Sequence, residues 1–561
     1  MSLICYKIYT NKYLYSFSLT RLQAFKVFAW LAAIYWTWMT PTLLIMKKWF
    51  NTAGPCQADI HYMLPAGDRL PELEQLIAQR NYFVIHAPRQ VGKTTAMLTL
   101  AQELTASGAY TSVMVSAEVG STFPDEPEKA EETILAAWRD AADFWLPDEL
   151  KPPTYDLNQP PQRIGNFLKV WSEASLRPLV IFIDEIDSLQ NQTLMTVLRQ
   201  LRDGFPRRPQ GFPQSVALVG MRDVRDYKYA SGGSDRLNTS SPFNIKVRSF
   251  TLSNFTLEDV SKLYQQHTQV TGQIFTPEAV DLAFHLTQGQ PWLVNAIAKE
   301  IVEYIAKDPT TPITVDLVNQ AKEILIKRQD THLDSLAERL REDRVRVIIQ
   351  PILSGQELVN MPEDDLRFVL DLGLCSRDSR GGIQIANPIY REIIPKVLAS
   401  ITIASLTSIA PTWLDNDGDL NAQALLDSFI LFWRQHGEPL FGSTPYAEIA
   451  PHIVLIAFLH RVVNGGGTLE REYAIGSGKM DICLRYGKLT LAMELKVWRD
   501  GRPDPLKEGL PQLDKYLSGL SLDTGWLVIF DRRKGLPPIS DRTTIENVIS
   551  PAGRNIIVIR G

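Results

Sequence analysis

The chain has 561 residues, more than one hydrophobic core covers, so several domains are expected. With 45% hydrophobic and 22% charged residues and no biased tract, its composition excludes a disordered or fibrous protein. A formal net charge of −5 excludes a basic field over the whole chain, so any nucleic-acid contact has to be local.

Four cysteines, Cys5, Cys56, Cys375 and Cys483, stand far apart and form no CxxC pair. That pattern predicts a reducing compartment, the cytoplasm, with neither disulfides nor a zinc site. Near the N-terminus, Val27–Met46 is uncharged and long enough to cross a bilayer. Lys7, Arg21 and Lys26 before it would hold the N-terminus inside and put the rest of the chain outside, where the phosphate-loop pattern of APRQVGKTT, residues 87–95, would meet no nucleotide. Two readings stay open: a start at Met46, with residues 1–45 outside the working protein, and a membrane anchor. The charge argument favours the first, so a membrane partner is not expected.

From Tyr82 the chain reads YFVIHAPRQVGKTTAMLTLAQELTASG. Tyr82–His86 is a short apolar run expected as a buried strand, and Lys93–Ser107 a helix stopped by Gly108. Between them Ala87, Pro88, Arg89, Gln90, Val91, Gly92, Lys93, Thr94 and Thr95 follow the phosphate-loop pattern GxxxxGK[ST], with Ala87 in place of the first glycine. The chemistry needs these types. Backbone N–H groups at a helix N-terminus wrap phosphates, and Gly92 lets the backbone approach. Lys93 reaches the β- and γ-phosphates, and the Thr94 hydroxyl helps to hold Mg²⁺. Leu179–Asp184, LVIFID, is a second buried strand, ending in Asp184 and Glu185. Asp184 is placed for the Mg²⁺ shell, and Glu185 to orient or deprotonate the attacking water.

Thr111–Ala117, Ser215–Met221 and Asn244–Leu252 are further strand candidates, and helical patterns such as Lys129–Phe144 and Arg163–Ala174 alternate with them. Such alternation predicts a parallel α/β sheet. Arg222 follows the fourth strand and reads equally as a sensor of the γ-phosphate or as a surface ion pair. The residues APRQVGKTT, LVIFIDEID and GQPWLVNAIA make Phe50–Lys307 resemble an AAA-like P-loop ATPase of the archaeal-type, STAND-related group. The resemblance implies ATP and Mg²⁺ as cofactors and a helical lid after the sheet. Its GQP turn, Gly289–Pro291, begins a helix facing the nucleotide, and His61, Tyr62 and Met63 are candidates to border adenine.

Residues 331–400 show helical patterns, then Cys375–Ser376 and Gly382–Ile385 as a hairpin, which suggests a winged-helix-like module. Its acidic and basic residues nearly balance, so a packing role is favoured over DNA binding. Ser400–Leu425 reads as a linker.

The last region runs helix (Tyr446–Val463), strand (Leu469–Ile475), the hairpin KMDICLRYGKLTLAMELKVW, helix (Pro511–Leu517) and strand (Gly525–Phe530). Pro511 suits a first helical position. Strand alternation puts Thr490, Ala492, Glu494 and Lys496 on one face. A turn centred on Tyr486–Gly487 pairs Asp481 with Ala492 and leaves Glu494 as its diagonal neighbour, about 7–8 Å away. Two carboxylates so close need a cation or a proton between them. Oxygen ligands plus water favour Mg²⁺ or Mn²⁺, with Asp481 and Glu494 as ligands and Lys496 stabilising developing charge.

Asp481 with Glu494-Leu-Lys496 resembles the PD-(D/E)XK nuclease superfamily, and Gln512 and Tyr516 resemble its QxxxY pair. Met480 departs from the motif's Pro. The resemblance implies a further acid, Glu448 or its rival Glu472.

The expected fold is α/β: a P-loop NTPase parallel sheet (46–255), a helical lid (256–330), the winged-helix-like module (331–400), a linker (401–440) and a C-terminal α+β restriction-endonuclease-like domain (441–561). The expected function is an ATPase that regulates or drives a Mg²⁺-dependent nuclease, with nucleic acid, DNA first, as partner. A homo-oligomer is compatible with the resemblance. The rivals are a signalling ATPase whose nuclease-like domain binds without cutting, and a membrane-tethered ATPase.

Overall fold

The computed structural model describes residues 48–65, 69–154, 162–221, 245–328, 338–353, 361–378, 380–405, 412–415, 417–443, 450–463, 467–475 and 478–561. Residues 1–45, Arg222 and Glu448 lie outside them, as does the side chain of Glu472.

Five parallel strands form the first sheet: β1 (Tyr82–His86), β2 (Thr111–Ser116), β3 (Leu179–Asp184), β4 (Ser215–Gly220) and β5 (Lys246–Thr251). Their order is β2-β3-β4-β1-β5. Successive β1 residues enter different cores. Tyr82 and Val84 pack with Trp138 and Trp171 of helices Pro127–Trp145 and Arg163–Ala174. Phe83 and Ile85 pack with Met97 and Leu100 of helix Lys93–Ala106. A sheet covered on both faces needs apolar residues on both, so these strands read as unbroken apolar runs. Parallel connection also gathers the C-terminal strand ends on one edge, where the phosphate loop and Asp184 lie.

Helices Leu257–Thr271, Pro277–Thr287, Pro291–Glu300 and Val315–Arg328 follow. The first is fixed by a capping box: the Thr256 hydroxyl accepts from the Asp259 N–H at 3.1 Å, and the Asp259 carboxylate accepts from the Thr256 N–H at 2.9 Å. Next come helices Asp343–Leu353 and Glu363–Asp371, the antiparallel hairpin β6 (Cys375–Arg377) and β7 (Ile383–Ile385), and helix Pro388–Ser405. The stretch 401–440, expected as a linker, is largely helical among its described residues. Helix Ala422–Ser443 occupies much of that stretch and buries Leu425, Phe429 and Trp433, an i, i+4, i+8 stripe.

The C-terminal sheet contains β8 (Thr468–Ile475), β9 (Gly478–Tyr486), β10 (Leu489–Trp498), β11 (Thr524–Asp531), β12 (Thr544–Ile549) and β13 (Asn555–Arg560), in the order β12-β13-β11-β10-β9-β8. β8, β9 and β10 are antiparallel, β10, β11 and β13 run parallel, and β12 closes the edge antiparallel to β13. One face of the sheet (Ile482, Met493, Val528) shares a core with Phe429 and Phe458 of helices Ala422–Ser443 and Ala450–Val463. The other (Cys483, Ala492, Leu527, Ile529) packs under Leu513, Tyr516 and Leu517 of helix Leu506–Leu520. That helix starts five residues earlier than expected, so Pro511 is interior, not first. Its position on the exposed face leaves the unpaired carbonyl one turn back accessible to water. No described helix is long and apolar enough to cross a membrane.

Candidate functional site

Two groups of charged side chains stand out, one on each sheet. In the first, β1 runs into the loop at 87–92. Gln90 and Gly92 take left-handed backbone, with φ of +60° and +87°. Gly92 can do so without cost and starts helix Lys93–Ala106. Ala87 has no such conformation and its N–H donates to the Gly220 carbonyl at 3.3 Å, so the missing first glycine costs the backbone nothing. Lys93 Nζ donates to the carbonyls of Ala87 (2.7 Å) and Pro88 (2.8 Å), while burial pulls its pKa down. The Thr94 hydroxyl donates to Asp184 Oδ2 at 2.8 Å, so two residues 90 positions apart meet. Burial raises the Asp184 pKa, and burial followed by Asp187 and Asp184 raises that of Glu185. Glu185 also holds a left-handed backbone, φ +53°, uncommon away from glycine. Thr94, Asp184 and Glu185 thus gather at one edge with Lys93.

A cavity of about 250 Å³ opens beside Gly92 and Thr95, walled by Tyr62, Met63, Phe255 and Trp292. His61 does not line it; its Nδ1 accepts from the Gln57 N–H at 2.9 Å. The side chain of Gln290, from the expected GQP turn, caps helix Pro291–Glu300 and donates to the Gln90 carbonyl at 3.5 Å. Sequence reasoning missed Arg69. Its guanidinium donates to the carbonyls of Val91 (3.0 Å) and Ser253 (2.5 Å) and lies 4.9 Å from the Phe255 ring centroid. Burial lowers its pKa to about 10. It clamps the loop to the end of β5, and no motif marks it.

The second group lies on the C-terminal sheet, on the face covered by helix Leu506–Leu520. The β9–β10 register pairs Tyr486 with Leu489 and Ile482 with Met493. The turn therefore centres on Gly487–Lys488, one residue later than expected, and Ala492 faces Cys483, not Asp481, which lies just past the last paired residue, Ile482. The even loop length keeps Asp481 and Glu494 on a shared face, close enough for Asp481 to act on the Glu494 carboxyl. Asp481 Oδ2 accepts from the Leu495 N–H at 2.8 Å, which fixes its side chain. Glu494 is 4% exposed, and burial, then Asp481, push its pKa up to about 8. Lys496 Nζ lies 3.1 Å from Glu494 and 3.5 Å from Glu508. Burial lowers the lysine pKa, but Glu494 outweighs it and the net direction is up.

Glu494 Oε2 and Gln512 Oε1 are buried without hydrogen-bond partners among the described residues. Tyr516 packs one turn beyond Gln512 against Cys483 and Ala492. Glu508 was missed, although Glu508, Gln512 and Tyr516 repeat every four residues and so share a helix face. Among the described residues no three His, Cys, Asp or Glu side chains converge as a metal cluster. A pair of carboxylates, one with an orphaned buried oxygen, still fits Mg²⁺ or Mn²⁺, since Mg²⁺ keeps several waters.

The parallel sheet with its loop and strand-end carboxylates has the form of a P-loop ATPase domain. Residues 70–217 match the family of the AAA ATPase domain. Among solved structures, the chain is similar to the Walker-type ATPase PABY2304 of Pyrococcus abyssi, with 11% identity over 62% of this chain and 99% of that one and a TM-score of 0.43. It is also similar to the Thermotoga maritima RuvB Holliday junction branch migration motor (15%, 58% and 92%, TM-score 0.33). A third similar structure is the Aeropyrum pernix ORC2 protein in its ADPNP–ADP complexes (13%, 62% and 97%, TM-score 0.32). A comparison with characterised proteins gave no match.

Proposed function

We propose that this AAA-type ATPase regulates or drives a divalent-metal-dependent nuclease site of the PD-(D/E)XK kind on the C-terminal sheet. The observation that carries the reading is Glu494: a carboxylate 4% exposed, on the same face as Asp481, with Lys496 Nζ at 3.1 Å and one oxygen unpartnered among the described residues. An apolar strand has no packing reason to keep such a group, because a buried carboxylate with an unsatisfied oxygen costs free energy even beside a lysine. Asp481 and Glu494 would hold Mg²⁺ or Mn²⁺, which when bound supplies Lewis acidity to a phosphoryl oxygen. Asp481 is already oriented by the Leu495 N–H. Lys496 keeps its proton at neutral pH and faces the site as the cation that stabilises developing negative charge. Gln512 and Tyr516 position the site from the covering helix.

On the ATPase side, Gly92 and Lys93 bind the phosphates, and Thr94 with Asp184 holds Mg²⁺. Glu185 orients the attacking water, and the cavity behind Thr95 takes the base. Residues 331–400 serve as a winged-helix-like packing module. The substrate is nucleic acid, DNA first, in the cytoplasm.

The test incubates purified protein with plasmid or single-stranded DNA and Mg²⁺ or Mn²⁺, with and without ATP. Glu494→Ala and Lys496→Ala are each expected to cut cleavage by at least about 100-fold with ATP hydrolysis retained. Lys93→Ala is expected to change only the ATP dependence. Intact ATP hydrolysis without cleavage of either DNA would favour the signalling ATPase that binds without cutting.

A further inference from the structure

Beside the Glu494–Lys496 site, the C-terminal sheet carries a cationic rim. β10, β11 and β13 run parallel, so their C-terminal ends lie along one edge. Two loops leave that edge: Arg499-Asp500-Gly501-Arg502 after β10, and Asp531-Arg532-Arg533-Lys534 at the end of β11. They hold five cations and two carboxylates, in a chain whose net charge is −5.

Both carboxylates are already engaged. Asp500 accepts from the Lys534 backbone N–H at 3.2 Å, and Asp531 accepts from Arg533 Nε at 2.9 Å and Nη2 at 2.6 Å. The side chains of Arg502 and Lys534 are exposed and have no hydrogen-bond or ion-pair partner among the described residues. One aromatic ring ties the two loops together. The Trp498 indole N–H donates to the Arg502 carbonyl at 3.0 Å, and the Arg533 guanidinium lies 3.5 Å from the centre of the same ring. The Arg532 N–H donates to the Trp498 carbonyl at 2.8 Å. These contacts fix the rim, although its surplus positive charge repels itself unless it meets an anion.

The rim adjoins the site. Trp498 follows Lys496 by two residues on β10, so the two share a face, about 7 Å apart along the strand. Trp498 packs against the same core as Tyr516. The loop after β10 leads into helix Leu506–Leu520, whose Glu508 lies 3.5 Å from Lys496.

We infer that the loops 499–502 and 531–534 hold the sugar–phosphate backbone of a nucleic-acid strand and lead it to Lys496. The inference rests on the nuclease reading for the choice of a nucleic acid over an acidic polypeptide, while the contact itself needs neither metal nor cleavage. A positive groove tracks a strand by its phosphates, so binding is independent of sequence and weakens with salt.

The experiment measures binding of the full chain to fluorescent single-stranded and duplex DNA oligonucleotides by anisotropy, in EDTA and over a range of salt. Arg502→Ala/Lys534→Ala is compared with Arg199→Ala/Arg202→Ala, which removes the same charge from exposed positions of helix Asn191–Gly204. The rim variant is expected to lose about tenfold in affinity for DNA of any sequence, and its slope of log affinity against log salt is expected to fall by about 1–2. The second pair is expected to change affinity by less than about twofold. Unchanged affinity and slope in the rim variant overturn the inference, as does an equal loss in the second pair, because net charge alone would then account for it. An unaltered protein that binds neither DNA overturns it too. Polyglutamate that displaces the oligonucleotide at equal charge concentration also overturns it, and makes the rim a face for an acidic protein. DNA held through the rim but left uncut when Mg²⁺ or Mn²⁺ replaces EDTA upholds the inference and counts against the nuclease reading.

Discussion

In the first sheet the charged groups stand beyond the strand ends, whereas in the last sheet they stand inside the strands. β3 is buried along its length and delivers Asp184 only at its final residue, where the Thr94 hydroxyl meets it at 2.8 Å. β10 carries Glu494 and Lys496 in mid-course, beneath a helix, and leaves a Glu494 oxygen without a partner among the described residues. The difference is one of solvation. A strand-end site borrows loop carbonyls and N–H groups as partners, as Lys93 does with Ala87 and Pro88. A site within a sheet face has few spare backbone groups, because the ladder uses most of them; the Leu495 N–H that Asp481 accepts is an exception. Its charges have to be settled by one another, by a proton or by a cation.

The largest effect that tests this contrast is at the strand-end site. Lys93→Ala removes the ammonium that would meet the phosphates, and each charge-assisted hydrogen bond contributes about 1.5–3 kcal/mol. ATP affinity is expected to fall by about 100-fold or more, read by calorimetry. Divalent-cation binding at the C-terminal sheet is expected to stay unchanged, and a parallel loss there would break the separation of the two sites.

The next effect belongs to the in-sheet site and depends on pH. Glu494 has a folded pKa raised from 4.5 to about 8, by burial and then by Asp481. Between those values the folded state binds more protons than the unfolded one, so stability is full below the unfolded pKa and falls as pH rises towards the folded one. Without divalent metal, the melting temperature is therefore expected to drop by several degrees between pH 5 and pH 8, about 2–4 °C for each kcal/mol. Glu494→Gln should flatten that slope. Mn²⁺ or Mg²⁺ binding should release a proton and tighten as pH rises towards 8. A slope that Glu494→Gln leaves untouched would assign the titration to another group.

How much of each site could be read from the sequence follows the same contrast. The phosphate loop is local: nine consecutive residues imply strand, loop and helix, and β1 and β3 fall at the expected residues, Tyr82–His86 and Leu179–Asp184. Asp481, Glu494 and Lys496 were legible because strand alternation fixes a face. Their register was not, since moving the hairpin turn by one residue re-pairs every position while preserving the face. The helix Ala422–Ser443 was obscured by the polar stretch before it, although the stripe Leu425, Phe429, Trp433 was present. Arg69 was invisible because it acts by reaching two backbone carbonyls, Val91 and Ser253, which no side-chain pattern records. The seating of the phosphate loop against the turn before β6 depends on a contact 285 residues apart in sequence, between Pro88 and Gly373.

The smallest effect concerns Glu508, the exposed member of the in-sheet group. Lys496 lies between Glu494, with a side chain 5% exposed, and Glu508, with one 69% exposed, at 3.1 and 3.5 Å. Equal geometry would suggest equal weight. Solvent decides otherwise: the buried partner interacts in a low-dielectric surrounding, while the exposed one is screened by water and salt. Glu508→Gln is therefore expected to change stability by less than about 0.5 kcal/mol, read from the denaturant midpoint of the unaltered protein and the variant in parallel. Cleavage is expected to change by less than about threefold if Glu508 only neighbours the lysine. A loss comparable to that of Lys496→Ala would make Glu508 the helix-borne acid of the site, in place of Glu448 and Glu472, and would move the working group one turn before Gln512 on the covering helix.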